Sequence, residues 1–291
     1  MVKSPKNLTL AKAWAEAWKI RFRHLVSARN EESRWRTHLA GRWGQRPLYK
    51  ISVLDIDRLK GELLSRSLKP ATVTQILGLI GRLYNLMTAW GLYHGPNPLR
   101  QIKMPQADNR RRRFLAATEA HRLLAELQGR SPRSYRLALL SLATGMRAGE
   151  VLGLRGEHVR LDDGTISVMD TKSRRDRVVD APPAAQEILR EMNLSPGRRL
   201  FSGRRVGGVF FSAVERQGLN TGRQDPRDRV VFHTLRHTFA SWLVQRGVSL
   251  YIVANLLGHA NLSMTQRYAH LSPEILRGAV EVWSEAFWDS A

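Results

Sequence analysis

Residues 158–170, HVRLDDGTISVMD, and residues 177–182, RVVDAP, decide the fold class. In the first stretch, apolar and polar residues alternate on both sides of Asp162-Asp163-Gly164, a turn signal of the kind that joins antiparallel strands. The second stretch follows the turn-like segment TKSRRD at 171–176. Together these stretches predict two or three short antiparallel strands.

Helical periodicity dominates on either side of the strands. Apolar residues recur every three or four positions through residues 73–90, and Gly91 offers a C-terminal stop. Residues 1–106 are predicted to form about four helices, and the helical pattern resumes after Pro182. The expected fold class is therefore mainly α with a small antiparallel β-sheet (α+β). Helical spacing also favours core packing over base stacking for the N-terminal tryptophans Trp14, Trp18, Trp35 and Trp43.

Length and composition limit the class of protein. The 291 residues suffice for two domains, since a domain takes roughly 100–200 residues. The absence of cysteine excludes disulfide frameworks, Cys-ligated metal sites and thiol nucleophiles. No apolar run reaches the roughly 18 residues that a membrane helix needs, and no signal-peptide pattern opens the chain. We therefore expect a cytoplasmic protein with no membrane partner.

The net charge of +22 indicates a polyanionic partner, because unpaired charges are too costly to bury. Residues 1–106 hold 19 Lys and Arg against 6 Asp and Glu, whereas residues 114–291 hold 24 against 18. Between these regions, residues 107–113 contain four successive arginines and little apolar content. The predicted organisation is a helical domain (1–106), a basic interdomain linker (107–113) and a second domain (114–291).

Four short motifs carry candidate chemistry in the second domain. In chain order they are ATGMRAGEVLGLR at 143–155, TKSRRD at 171–176, HTLRHTFASWLV at 233–244 and LLGHANLSMTQRYAHL at 256–271. Arg147 and Glu150 stand three residues apart in the first, and so do His233 and Arg236 in the third. That spacing places each pair on one helix face, where a carboxylate can hold a guanidinium in place. Each motif alone is weak evidence for a function.

In this order and at these separations, the motifs resemble those of the tyrosine recombinases, the phage integrase family of site-specific DNA recombinases. The similarity runs from about Phe114 to Leu271. The family pattern is A-T-G-x-R-x-x-E, a lysine in a strand turn, H-x-L-R, L-G-H and Y-x-H. With Glu150 as an orienting residue, the catalytic positions fall on Arg147, Lys172, His233, Arg236, His259 and Tyr268. The resemblance implies a helical core-binding domain followed by a tyrosine-recombinase-type catalytic domain.

The chemistry of phosphodiester exchange agrees with these positions. Extra negative charge develops on the non-bridging oxygens, and Arg147 and Arg236 can bind those oxygens as planar, bidentate donors. A tyrosine hydroxyl has a reference pKa near 10, so Tyr268 needs help to become a nucleophile. The arginine pair is expected to favour its phenolate, and His233 to take its proton.

The remaining roles follow from the resemblance and from the reaction. The resemblance assigns protonation of the leaving 5′ oxygen to Lys172, and His259 would donate to a non-bridging oxygen. His237 and His270 lie next to motif positions and are expected to be local hydrogen-bonding residues. A 3′-phosphotyrosine retains the energy of the broken bond, so the expected enzyme uses no metal, ATP or other cofactor.

Several functions remain open. The leading one is a prophage-type integrase, and a Xer-like chromosome-dimer resolvase is the alternative because no arm-binding domain is visible before the core-binding region. A type IB topoisomerase-like enzyme or a non-catalytic nucleic-acid-binding protein is less favoured. Residues 274–289 carry an apolar stripe at helical spacing, which predicts a C-terminal helix docking on a neighbouring subunit or folding back on its own domain.

The expected partners follow from the family resemblance and the charge. They are double-stranded DNA, a homo-tetramer on synapsed DNA sites, and accessory DNA-bending proteins as optional partners. The phosphates of the DNA are expected to contact the linker residues Arg110, Arg111, Arg112 and Arg113. Such a protein would be nucleoid-associated.

Overall fold

The computed structural model describes residues 7–106, 111–169 and 176–271. The chain divides into two compact units, Met1–Asn109 and Arg110–Ala291, so the boundary falls within residues 107–113. The first unit contains helices α1 (Leu10–Ile20), α2 (Ala28–Arg34), α3 (Gly41–Trp43), α4 (Val53–Ser65) and α5 (Pro70–Ala89). A π-helical segment (Trp35–Ala40) joins α2 to α3, and 3₁₀ turns cover Phe22–His24, Leu48–Lys50 and Pro98–Gln101.

Aromatic packing and helix caps define the first unit. Trp14 is buried and stacks on Trp35, with ring centroids 5.1 Å apart and planes at 9°. Trp18 also stacks on Trp14, with ring centroids 5.3 Å apart and planes at 29°. These tryptophans pack within the unit, as their helical spacing predicts. The long helix α5 has Trp90 as its C-cap, and Gly91 follows with a φ of 70°, which glycine adopts without strain.

The second unit holds the remaining helices and the strands. Its helices are α6 (Ala117–Arg130), α7 (Pro132–Thr144), α8 (Ala148–Gly153), α9 (Pro183–Arg190), α10 (Gly208–Arg216), α11 (Phe232–Gln245) and α12 (Leu250–Leu257). Its strands are β1 (Val159–Arg160), β2 (Thr165–Val168) and β3 (Arg177–Asp180). The 3₁₀ segments are Gly156–His158, Leu262–Met264 and Gln266–Leu271.

The strands form one antiparallel sheet in the order β1-β2-β3. Val159 of β1 pairs with Ile166 of β2, and in the turn between these strands Gly164 has a φ of 63°. Val168, the last residue of β2, pairs with Arg177, the first residue of β3. Alternate residues of β2 are buried, so one face of the sheet packs on the core. The predicted fold class, mainly α with a small antiparallel sheet, is confirmed.

Helix α11 positions the candidate site. It packs against α7 and α12, and its buried residues Leu235 and Ala240 belong to two adjoining apolar clusters. The second cluster includes Tyr268 of the 3₁₀ segment Gln266–Leu271. The ends of α7 and α12 therefore meet the start of α11 and the tyrosine segment. Within the described ranges, no helix is both long and apolar enough to cross a membrane.

Candidate active site

The start of α8 holds Arg147 against Glu150. Arg147 is the N-cap residue, and its backbone N–H donates to the Glu150 carboxylate at 2.8 Å. Its Nη1 donates to the other carboxylate oxygen at 2.7 Å, the contact expected from the three-residue spacing. The guanidinium is consequently oriented while the Arg147 side chain keeps 34% of its surface exposed. An oriented and accessible guanidinium is suited to bind an anionic oxygen.

Arg236 is held by the ends of two helices. Its Nη1 donates to the carbonyl of Gly145 at 2.8 Å and its Nη2 to the carbonyl of Leu257 at 2.7 Å. The last carbonyls of a helix lack intrahelical partners and carry partial negative charge, so they suit a buried cation. Gly145 ends α7 with a φ of 68°, and a Cβ there would come within 2.5 Å of the Phe239 ring. This close approach requires glycine.

Glu150 is the common partner of a cationic cluster. Arg177 at the start of β3 donates to both carboxylate oxygens, at 3.2 and 2.9 Å, and Arg236 Nη1 lies 3.9 Å from the carboxylate. Burial alone would raise the pKa of Glu150, but the hydrogen bonds and charges of Arg177 and Arg147 lower it below its ordinary value. Burial and the charge of Arg147 lower the pKa of Arg236 to about 9, so both groups are ionised at neutral pH.

Arg177 is a site residue that the sequence analysis missed. Its side chain is 11% exposed, and its Nε also donates to the carbonyl of Leu256 at 3.3 Å. It packs on Gly258, where a Cβ would come within 2.9 Å of the arginine side chain. In the sequence Arg177 is one basic residue among several near TKSRRD. Only the packing of β3 beside α8 and α12 distinguishes it from its neighbours.

Tyr268 is buried and paired with a histidine. The tyrosine is 5% exposed, and its hydroxyl lies 2.6 Å from Nδ1 of His237. Burial raises the pKa of Tyr268 to about 12, although the charges of Arg267 and Arg236 act to lower it. The charge of Arg236 thus acts in the direction expected of the arginine pair, but in the protein without DNA desolvation outweighs the cations. The hydroxyl is a neutral donor in this state.

The histidines of the third and fourth motifs differ in environment. His233 is exposed, and its ring meets the His237 ring edge to face at 4.8 Å. Desolvation by the surrounding protein, followed by the charge of Arg236, lowers the pKa of His233 to about 4. Nδ1 of His259 lies 2.7 Å from the buried Thr265 hydroxyl, and the same two causes lower the pKa of His259 to about 4. His237 was expected to form a local hydrogen bond, but its partner is Tyr268, 31 residues away in the chain.

Some of the predicted residues lie outside the described ranges, whereas most of the arginine run lies within them. Lys172 falls between β2 and β3, and it lies outside the described residues, as do Arg110 and the predicted C-terminal helix 274–289. The rest of the arginine run belongs to the second unit and forms contacts within it. Arg111 donates to the Pro226 carbonyl at 3.1 Å, and Arg112 pairs with Asp225 at 3.2 Å while its side chain stays 56% exposed.

Arg113 is the most enclosed described member of the run. Its side chain is 15% exposed and its Nη2 pairs with Glu119 at 2.5 Å. Arg113 therefore anchors the start of the second unit, and Arg112 is the more accessible cation. No group of three His, Asp or Glu side chains in the described part of the chain is placed to hold a metal ion.

Three guanidinium groups around one carboxylate, beside a tyrosine hydroxyl and several imidazoles, make a site for phosphodiester chemistry. Comparison with known proteins agrees with this class. The model of the phage integrase family matches residues 113–274. The chain is 31% identical over 245 residues to a putative integrase of Pseudomonas phage Pf1, covering 84% of this chain and 70% of that protein.

Other relatives extend the comparison. The chain is 32% identical over 213 residues to the tyrosine recombinase XerD of Neisseria meningitidis, covering 69% of this chain and 72% of that protein. The fold also matches a lambda integrase tetramer bound to a Holliday junction, with a TM-score of 0.71 and 20% identity over 91% of this chain and 78% of that one. The chain belongs to the phage integrase family of tyrosine recombinases. It is a DNA breaking and rejoining enzyme that acts as a site-specific recombinase.

Proposed function

We propose that this recombinase is an integrase that exchanges DNA strands through a covalent 3′-phosphotyrosine at Tyr268. One observation carries the proposal. The Tyr268 hydroxyl is hydrogen-bonded to His237, the residue that directly follows Arg236 in α11. A phosphodiester bound by Arg236 and Arg147 would therefore lie beside a phenolic hydroxyl that can become an oxygen nucleophile.

The reaction is an exchange of one ester for another. The Tyr268 hydroxyl gives its proton to an imidazole of the site and its oxygen attacks phosphorus. The bond from phosphorus to the 5′ oxygen breaks, and the departing oxygen takes a proton from Lys172. Arg147 and Arg236 bind the non-bridging oxygens, and His259 donates a further hydrogen bond to them. A 5′ hydroxyl then gives its proton to Lys172 and attacks the phosphotyrosine, and Tyr268 is released as it regains its own proton. The ester bond is conserved throughout, so the proposed reaction consumes no ATP and needs no metal ion.

Covalent trapping tests the nucleophile. Nicked duplexes with a randomised centre are incubated with the protein, and DNA that stays attached after denaturation is sequenced. The wild-type protein and the control Tyr251→Phe, an exposed tyrosine on α12, should select the same site, and Tyr268→Phe should retain no DNA. Adducts that persist in Tyr268→Phe would contradict the proposal. Adduct formation that stops in EDTA would contradict its metal independence.

The assembly is the second part of the proposal. We infer that four subunits act on two synapsed sites and that residues 274–289 dock on a neighbouring subunit. The support is the apolar stripe in that segment, formed by Leu276, Val280, Trp283 and Phe287, and the fold shared with a tetramer-forming integrase. Burying such side chains contributes roughly 1.5–3 kcal/mol each when they are fully desolvated.

Deleting the chain after Pro273 tests the assembly. Binding to a single selected site should remain nearly unchanged, whereas the synaptic complex on native gels and strand exchange between two duplexes should be lost. A truncated protein that still recombines would mean that the segment covers its own domain. Relaxation of supercoiled DNA without any strand exchange by the full chain would instead favour a topoisomerase-like function.

Phosphate contacts are the third part of the proposal. Arg112 is exposed, so a DNA phosphate can compete with Asp225 for its guanidinium. Neutralising Arg112 by glutamine should weaken binding to all DNA sequences alike and reduce the salt dependence, as expected for a phosphate contact. Arg216→Gln, at the end of α10, provides a control with the same change of charge. A change of sequence preference with unchanged affinity would indicate base recognition instead.

A further inference from the structure

The contact between His237 and Tyr268 places a second group on the reacting oxygen. Both side chains are 5% exposed, and 2.6 Å separates the imidazole Nδ1 from the phenolic oxygen. The rings are tilted by 53° with centroids 5.8 Å apart, so they meet through their polar edges rather than by stacking. The histidine is therefore directed at the atom that must lose a proton before or during attack.

The number of polar groups left unpaired shows which group is the donor in the hydrogen bond between Tyr268 and His237. If Nδ1 accepts, the tyrosine proton is satisfied and the imidazole proton sits on Nε2. If Nδ1 donates, the tyrosine proton itself has no acceptor in the described contacts. Nε2 of His237 is buried without a hydrogen-bond partner among the described residues in either case. The first arrangement leaves fewer polar groups unpaired, so the hydroxyl donates to His237.

His233, the residue expected to take the proton, is placed differently. It is exposed, and its described contact is the edge-to-face approach to the His237 ring at 4.8 Å. The described residues include no hydrogen bond between His233 and Tyr268. The order in space is therefore His233, His237 and then Tyr268, with the middle ring in contact with the phenol.

We propose that His237 is a catalytic residue that accepts the Tyr268 proton when the phenol attacks phosphorus. The proposal rests on Tyr268 being the nucleophile. The O–H bond breaks, the proton moves to Nδ1, and the oxygen electron pair forms the bond to phosphorus as the bond to the 5′ oxygen breaks. In the return step Lys172 takes the proton of the attacking 5′ hydroxyl as its oxygen bonds to phosphorus. The bond from phosphorus to the Tyr268 oxygen breaks, and His237 gives its proton back to the phenolic oxygen.

The environment of His237 suits a group that works only after DNA has bound. Burial, then the charges of His233 and Arg267, lower the pKa of His237 to about 3, so the ring is neutral and its Nδ1 lone pair is available. A phosphodiester anion bound to the neighbouring guanidinium groups would favour the protonated imidazole. Proton acceptance then accompanies substrate binding, whereas without DNA the proton stays on the buried tyrosine.

Two substrates distinguish acceptance of the Tyr268 proton from protonation of the leaving 5′ oxygen. The site selected by covalent trapping is prepared with an ordinary 5′ oxygen and with a bridging 5′ sulfur, whose thiolate leaves without protonation. His237→Asn keeps an acceptor oxygen near the Nδ1 position but cannot take a proton. We expect single-turnover cleavage to fall by about 100- to 10,000-fold with both substrates. Lys172→Ala should be slow with oxygen and fast with sulfur.

Controls keep the test independent of folding and of the identity of the nucleophile. His121→Asn, which alters an exposed histidine of α6 outside the motifs, should cleave at the wild-type rate. If His237→Asn does not fold, His237→Ala with added imidazole replaces it, and imidazole should accelerate cleavage.

Three results would overturn the role of His237. They are near wild-type cleavage by His237→Asn, recovery of that variant on the sulfur substrate, or no response of His237→Ala to imidazole. An adduct formed by Tyr268→Phe would instead overturn the proposed function itself, so the two failures are distinguishable.

Discussion

Replacing Glu150 with glutamine tests whether this carboxylate allows three guanidinium groups to lie together. Glu150 is 8% exposed in its side chain, accepts hydrogen bonds from Arg147 and Arg177, and lies 3.9 Å from Arg236. Glutamine keeps the shape and one acceptor oxygen but removes the negative charge. Its amide hydrogens would also face guanidinium groups that are themselves donors. The variant therefore removes the anion at the centre of the cluster.

The cost follows from the exposure of the partners. Removing one partner of a buried ion pair costs about 3–5 kcal/mol. The Arg147 side chain is 34% exposed and screened by water, whereas Arg177 and Arg236 are 11% and 3% exposed. We therefore expect the lower end, a loss of about 3 kcal/mol in the free energy of unfolding of the second unit. At about 2–4 °C per kcal/mol, its Tm should fall by roughly 6–12 °C.

Calorimetry of the full chain measures this loss, with Glu191→Gln as a matched control. Glu191 pairs with Arg136 at 2.8 Å but is 59% exposed, so its loss should cost no more than about 1 kcal/mol. The pKa of Glu150 lies below its ordinary value of 4.5, so its stabilisation is present above that pH and is lost as the pH falls further. The Tm difference between Glu150→Gln and the wild-type protein should therefore become smaller as the pH falls below 4.5. A Glu150→Gln variant that melts together with Glu191→Gln would refute the reasoning.

Three further predictions concern the same unit. The pKa values of His237 and His259 are lowered to about 3 and 4, so below pH 6.5 the unfolded chain binds more protons than the folded chain. The free energy of unfolding should therefore decrease, as the pH falls from 6.5 to 5, by up to about 1.4 kcal/mol per pH unit for each histidine. A flat denaturant midpoint over this range would contradict those values. Arg236→Lys loses the planar fork that reaches two helix ends, and single-turnover cleavage should fall at least about 100-fold while DNA binding persists. Gly145→Ala forces a Cβ to 2.5 Å from a phenylalanine ring and should cost about 1–3 kcal/mol in urea unfolding, whereas Gly149→Ala, with open space around it, should cost nothing.

Local patterns in the sequence determine much of this protein. Alternation around Gly164 predicts the strands, and helical periodicity predicts α5, because both depend on residues that are neighbours along the chain. The contact of Arg147 with Glu150 follows from the three-residue spacing between the N-cap of α8 and its first turn. The family motifs are likewise linear, so the order of the chain was sufficient to predict the fold class and the family.

Tertiary packing decides which residues of the candidate site contact one another. Arg236 binds the carbonyl of Gly145, which lies 91 residues away in the chain, and Arg177 reaches Glu150 across 27 residues. No local pattern encodes either contact. The state of Tyr268 is decided in the same way, because its pKa depends on how much protein surrounds the hydroxyl as well as on which cations are near. The sequence alone supplied the arginines that lower that pKa, and only the folded structure supplied the burial that raises it and the imidazole of His237 that holds the proton.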